Sequence, residues 1–259
     1  MGILNRTPDS FYDKGATFEL DALLRRADQL VGEGADVLDV GGVKAGPGPH
    51  VALDEELDRV IPTIEALARR DEVPISVDTW RAAVAAEAYR AGAVLGNDIS
   101  GFADPEYLDV AARAGASVVA THIRLQPRVA DPEPEYENGD VVSAVELFLQ
   151  NRLAQALAAG IPANRIVLDA GLDLGKTARH SLELLRASER LAAIGPVLLL
   201  SASNKTFLGV TLGLELGDRR SASLAAAAIG VIGGCRIVRV HDVAGTRRVV
   251  DTIEQVLAA

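Results

Sequence analysis

Short apolar runs recur along this chain with a helical pattern between successive runs, and nearly every run stops on a residue able to do chemistry. Gly2-Ile3-Leu4 runs into Asn5, Val37-Leu38 into Asp39, and Ile75-Ser76-Val77 into Asp78. Val94-Leu95 reaches Asn97 and Asp98, Val118-Val119 reaches His122, and Ile166-Val167-Leu168 reaches Asp169. Val197 through Leu200 leads to Ser201 and Lys205, and Ile237-Val238 to Arg239 and His241. Continuous apolar runs separated by helices read as strands of a parallel sheet, buried on both faces. Eight of them in 259 residues match the ~250 residues of one (β/α)8 TIM barrel, whose strand ends open on a single face that carries the active site. The expectation is one domain over 1–259, with its site among the residues just named.

The helices read from their stripes. Leu20, Leu23, Leu24, Ala27, Leu30 and Val31 recur at helical spacing, as do Leu53, Leu57, Val60, Ile61, Ile64 and Leu67. Val249, Val250, Ile253, Val256 and Leu257 form a third stripe, and weaker patterns cover 81–91, 105–114, 141–159, 179–193 and 221–232. The acidic, proline-bearing stretch 131–138 reads as a mobile loop on the catalytic side or a solvated connector.

Composition removes several function classes. The net charge is −10, and no basic run exceeds a pair such as Arg69-Arg70 or Arg219-Arg220, which argues against a nucleic-acid partner. Cys235 is the single cysteine, so no intrachain disulfide forms, and its apolar setting reads as inert burial. Without a signal-like segment or an apolar run of ~18 residues, the chain reads as a cytoplasmic protein with no membrane partner. It opens at Met1-Gly2 almost inside the first strand, which leaves room for a longer native N-terminus.

Asn5 and Asp9 flank a proline-shaped turn and offer oxygen ligands that suit Mg2+, although an ordinary Asx turn has the same composition. Asp78, Asn97 and Asp169 supply donors and acceptors for the edge of a heterocycle, or a buried structural network. Ser203-Asn204-Lys205-Thr206 and Arg239-Val240-His241 follow the last two strands, where barrels often place a phosphate. A lysine, an arginine fork and a helix start suit a phosphorylated or pyrophosphorylated ligand. Gly171 through Thr177 looks like a P-loop but has three residues between its glycines where that motif needs four. A metal-hydrolase barrel is set aside because the first strand carries no histidine pair, and His50 and His180 read as solvated.

With those residues in view, the chain resembles the dihydropteroate synthases over essentially its whole length. The matching segments are GILNRTPDSF at 2–11, ADVLDVGG at 35–42, ISVDT at 75–79 and NDISG at 97–101. LDAGLDLGKT at 168–177, SASNKTFLG at 201–209 and RIVRVHDV at 236–243 complete the set. The resemblance implies condensation of a pterin-methyl pyrophosphate with p-aminobenzoate, releasing pyrophosphate. It assigns the pterin to Asp78, Asn97, Ile99, Asp169 and Lys205, and the pyrophosphate to Asn5, Arg239 and His241. It also implies catalytic roles at Asp9, Lys205, Arg239 and His241, Mg2+ on Asn5, and a homodimer.

The departures fall elsewhere. After the second strand the family usually has Glu-Ser-Thr-Arg-Pro-Gly, and this chain has Val43-Lys44-Ala45-Gly46-Pro47-Gly48. The lost Thr and Arg are those that contact p-aminobenzoate and pyrophosphate. In the first loop Arg6, Tyr12 and Lys14 replace Val, Ser and Gly, and Thr121 replaces a Met. Ala170, Asp173 and Leu174 stand for Pro, Gly and Phe, Asn204 for Arg, and Thr206 belongs with the altered second-substrate loop. Three readings follow. The preferred one is a divergent paralogue that keeps its pterin or pyrophosphate site and condenses weakly or not at all. The others are a working synthase with altered loops, and a non-catalytic binding barrel or pterin-dependent methyltransferase relative.

Overall fold

Each apolar run forms a short strand in the computed structural model, which describes residues 1–7, 19–70 and 72–259. The strands are β1 (Gly2–Asn5), β2 (Leu38–Gly41), β3 (Ile75–Asp78), β4 (Leu95–Asp98), β5 (Ser117–Thr121), β6 (Ile166–Asp169), β7 (Val197–Leu200) and β8 (Cys235–Val238). They pair in sequence order, all parallel, in one eight-stranded sheet. The sheet curls until its ends meet: the Met1 amino group donates to the Val238 carbonyl at 3.0 Å, and the Ile3 N–H to the Val240 carbonyl at 3.1 Å.

The helices between the strands are α1 (Leu20–Gly32), α2 (Leu53–Ala68), α3 (Ala82–Ala91), α4 (Tyr107–Ala114) and α5 (Val141–Ala158). The second half carries α6 (Ala178–Arg186), α7 (Ser188–Ala192), α8 (Thr206–Leu212), α9 (Arg220–Ile232) and α10 (Val243–Ala258). The single helix expected over 179–193 is broken between α6 and α7, where the Ser188 hydroxyl donates to the Leu185 carbonyl at 2.7 Å. A serine that bonds nearby backbone competes with the helical ladder in this way. No helix among the described residues is long and apolar enough to cross a membrane.

Side-chain alternation then decides what faces the inside of the curl. Leu38 and Val40, Val77, Val118 and Ala120, and Ile166 and Leu168 pack in the apolar layer under the helices. Strand side chains alternate between faces, so Asp39, Asp78, Val119, Asp169 and their equivalents point inward. Met1, Leu95, Val119, Val167 and Leu199 fill the interior with their own small cluster. Polar residues take over at the carboxyl ends of the strands. Register aligns them: Asn5 pairs with Gly41, Gly41 with Asp78, and Asp78 with Asn97.

Two local expectations change. His180 is not simply solvated: its Nδ1 accepts from the Thr177 N–H, Thr177 Oγ1 accepts from the His180 N–H, and its ring meets Tyr136 edge-on at 5.1 Å. The acidic stretch is tied down rather than loose. Pro134 is buried, the Tyr136 hydroxyl donates to the Gly175 carbonyl at 2.7 Å, and Arg124 pairs with Asp131. Cys235 is buried at the start of β8, and burial pushes its thiol up to about 11, so inertness follows.

Candidate functional site

One arginine organises the carboxyl-end mouth. Arg239, just past β8, donates from Nε to Asp39 Oδ2 at 2.5 Å and from Nη2 to Asp78 Oδ2 at 2.6 Å. Asn97 adds its Nδ2–H to the same Asp39 oxygen at 3.0 Å. Asp39, Asp78, Asn97 and Asp169 are all buried. Burial pushes the Asp78 carboxyl up to about 7, against the pull of Arg239, with Asp39 adding to the rise. Asp169 is raised by burial too, with Lys205 opposing. Burial alone would lower Arg239, but Asp39 and Asp78 outweigh it and hold the guanidinium charged. Ile99 is buried just beyond β4.

On the side of β6 to β8, Asp169 Oδ1 accepts from the Gly171 N–H at 2.8 Å, which turns the chain away from the strand. Gly171 has a φ of 64°, and a Cβ there would lie 2.0 Å from the His122 carbonyl, so only glycine fits. Lys205 Nζ donates to the Leu172 carbonyl at 2.6 Å, and burial lowers its pKa against the attraction of Asp169. His241 Nδ1 lies 3.0 Å from Ser203 Oγ, which also accepts from the His241 N–H at 3.2 Å. The P-loop-like lysine has a structural task instead. Lys176 Nζ donates to the His122 and Leu174 carbonyls and meets His122 Nδ1 at 2.8 Å. Burial and Lys176 hold His122 far below its ordinary pKa, so its ring stays neutral.

The loop after β2 is held from outside. Arg59 of α2 donates to the Gly42 carbonyl at 2.8 Å, and Arg128, from the loop after β5, donates to the Lys44 and Pro49 carbonyls at 2.6 and 2.7 Å. Val43 is buried, and Lys44, Ala45 and Gly46 are half-buried. The buried Glu56 accepts from Thr79 Oγ1 at 2.6 Å and Arg81 Nη1 at 2.8 Å, and Arg81 reaches on to the Val51 carbonyl. Arg6 donates to the Asp58 and Arg59 carbonyls of α2.

Of the residues read from sequence, Asn5, Asp78, Asn97, Asp169, Lys205, Arg239 and His241 thus all lie at carboxyl ends of strands or just past them. Asp9, Tyr12 and Lys14 lie outside the described residues. Asp39 was legible only as a strand end, yet it anchors both Arg239 and Asn97. Its Oδ1 and Ser76 Oγ have no partner among the described residues. Arg59 and Arg128 carry no motif and were missed. For Mg2+, Asn5 offers one amide oxygen beside Gly41, where a Cβ would lie 3.0 Å from Asn5 Oδ1 and 3.6 Å from Asp78 Oδ2. No group of three or more His, Cys, Asp or Glu gathers as a cage among the described residues. A single protein oxygen fits an ion that takes its other ligands from phosphate and water.

Comparison with known proteins agrees with this geometry. A family model described as pterin binding enzyme matches residues 1–241. The chain is 45% identical over 260 residues to the inactive dihydropteroate synthase 2 of Mycobacterium leprae, covering 99% of this chain and 89% of that one. The Yersinia pestis dihydropteroate synthase, solved with a sulfonamide drug, superposes with a TM-score of 0.95 at 39% identity, covering 100% of this chain and 94% of the other. The Xanthomonas albilineans dihydropteroate synthase, solved with 4-aminobenzoic acid, superposes at 0.92 and 37% identity, covering 100% and 93%.

Removing Arg239 leaves two buried carboxylates without their cation, so Arg239→Met should cost about 3–5 kcal/mol at neutral pH. Burial pushes the Asp78 carboxyl up to about 7 even beside Arg239, and losing that cation pushes it higher, so above about pH 7 its ionisation weighs on the variant more than on the wild type. The deficit in the variant should therefore grow as pH rises from 7 to 9, measured by urea unfolding. A deficit that stays flat across that range would contradict the account of the pair.

Proposed function

This chain belongs to the dihydropteroate synthase family, and we propose that it is a divergent paralogue that keeps a pterin and pyrophosphate site while condensing weakly or not at all. The supporting observation is a contrast within one mouth. The charged floor built on Arg239, Asp39, Asp78 and Asn97 is complete. The loop that would clamp the second substrate presents Val43-Lys44-Ala45-Gly46, with its carbonyls held by Arg59 and Arg128.

In this reading the curled sheet is a closed TIM barrel of one domain. Asp78, Asn97 and Asp169 meet the hydrogen-bonding edge of the pterin, with Ile99 and Lys205 beside it. Arg239 and His241 face the pyrophosphate, with Lys205 adding charge. Mg2+, bound through Asn5, would neutralise charge growing on the departing pyrophosphate. The carbon–oxygen bond breaks largely before an amine attacks, so the chain's own task is electrostatic: to hold the anion and the pterin cation in fixed dipoles. One missing preorganised group typically costs ~10²–10³ in rate. Lys44 does not replace a bidentate arginine, and Arg6 already donates to α2 carbonyls.

Turnover of the unmodified chain with the pterin pyrophosphate and p-aminobenzoate should fall at least ~10²-fold below an ordinary synthase. Installing Lys44→Ser, Ala45→Thr and Gly46→Arg together should recover part of that rate. Normal turnover by the unmodified chain, in a coupled pyrophosphate-release assay, would overturn the reading.

A homodimer belongs to the same proposal. Helix α9 carries little charge and leaves Ile229 and Ile232 at 50% and 68% exposure, an apolar face that suits a second copy. Sedimentation at micromolar concentration should give a dimer, and a monomer there would refute it.

A further inference from the structure

The loop after β2 is anchored at both ends by arginines of its own side and clasped in the middle from another loop. At its ends, Arg59 of α2 donates to the Gly42 carbonyl at 2.8 Å, and Arg81, just before α3, donates to the Val51 carbonyl at 2.7 Å. Between them, Arg128 donates from Nη1 to the Lys44 carbonyl at 2.6 Å and from Nη2 to the Pro49 carbonyl at 2.7 Å. These partners lie 84 and 79 residues away in sequence. Arg128 stands in the left-handed region at a φ of 67°, which a residue other than glycine keeps only where its surroundings hold it. The loop is shaped to receive it: a Cβ on Gly48 would lie 2.4 Å from Arg128 Nη2. Among the described residues the guanidinium meets only those two neutral carbonyls, and its buried Nε has no partner. A buried donor left without an acceptor is costly, so this clasp holds less firmly than a satisfied ion pair.

In the sheet, β3 and β4 stand between β2 and β5, and their carboxyl ends carry Asp78 and Asn97. On a curled sheet, a contact between the loops of β2 and β5 is a chord that spans the ends of the two strands between them. We propose that Arg128 is the positioning residue of the loop after β2: a latch that holds this loop across the mouth and limits entry to the charged floor beneath. This rests on the pterin-site reading above. The latch is built to release, because Arg59 and Arg81 keep both ends of the loop anchored when its middle lifts. Losing one hydrogen bond from a charged donor shifts an open–closed equilibrium about tenfold. A ligand that enters only the open form has its apparent affinity reduced by the open fraction.

Cutting by a lysine-specific protease at the Lys44–Ala45 bond tests the latch, because Arg128 holds the carbonyl that the protease must attack. When opening is fast, the cutting rate follows the opened population. On the intact chain without ligand, Arg128→Gly should speed that cut at least about tenfold, and glycine suits the left-handed backbone it inherits. Gly48→Ala should act in the same direction by crowding the guanidinium. Alanine stiffens the loop itself, so a floppier chain cannot explain a faster cut there. Stopped-flow fluorescence should then show the pterin pyrophosphate associating at least about tenfold faster with Arg128→Gly than with the wild type. An unchanged cut in Arg128→Gly, or an unchanged or slower one in Gly48→Ala, would overturn the latch. A faster cut with unchanged association would overturn its place over the floor. Pterin binding to neither protein would sink the functional reading, while the cutting rate still decides the latch.

Discussion

The charged floor of the mouth depends on the fork of Arg239. Its two ion pairs join β8 to Asp39 on β2 and Asp78 on β3, across sequence separations of 200 and 161 residues. Unpaired carboxylates buried at this depth are costly, so the same contacts that prepare the site also fasten the last strand to the first ones. Asn97 joins through Asp39, which fixes the amide's orientation by giving its N–H₂ a partner. The curl of the sheet brings these groups together, and the register row of Asn5, Gly41, Asp78 and Asn97 sets their height.

The second half of the mouth follows a different logic. In the resembling family a loop arginine reaches toward the substrates. Here Arg128 reaches toward the loop, and its guanidinium is spent on the Lys44 and Pro49 carbonyls. Asp173 does the equivalent on the opposite side, filling donors at Thr206 and Phe207. Groups that would otherwise greet a ligand are satisfied internally. Donors satisfied in this way hold the loops in place, and in the proposed reading they leave fewer groups on this side of the mouth to meet a developing transition state.

Much of this was legible in the sequence, for physical reasons. Parallel strands buried on both faces leave continuous apolar runs, and a polar residue ending such a run has few places to go except the mouth. Asn5, Asp78, Asn97, Asp169, Lys205, Arg239 and His241 were found that way. Asp39 ended such a run as well, but its role as the anchor of Arg239 and Asn97 was not legible, because the inward direction of a mid-strand acid depends on which neighbours the helices cover. That Arg239 closes on two acids, that Arg128 spans from one loop to another, and that Asp173 caps α8 are long-range facts with no local signature. His180 looked solvated because neither its pairing with Thr177 nor its ring contact with Tyr136 leaves a periodic trace.

The central claim is that the pterin floor survived the rebuilding of its neighbour. Isothermal titration of the intact chain with the pterin pyrophosphate, with no amine present, asks this directly. The account predicts saturable binding to the wild type that is weakened at least about tenfold in Asp78→Asn, the loss of roughly one charge-assisted hydrogen bond. Absence of binding to the wild type, or equal binding to wild type and Asp78→Asn, would contradict it.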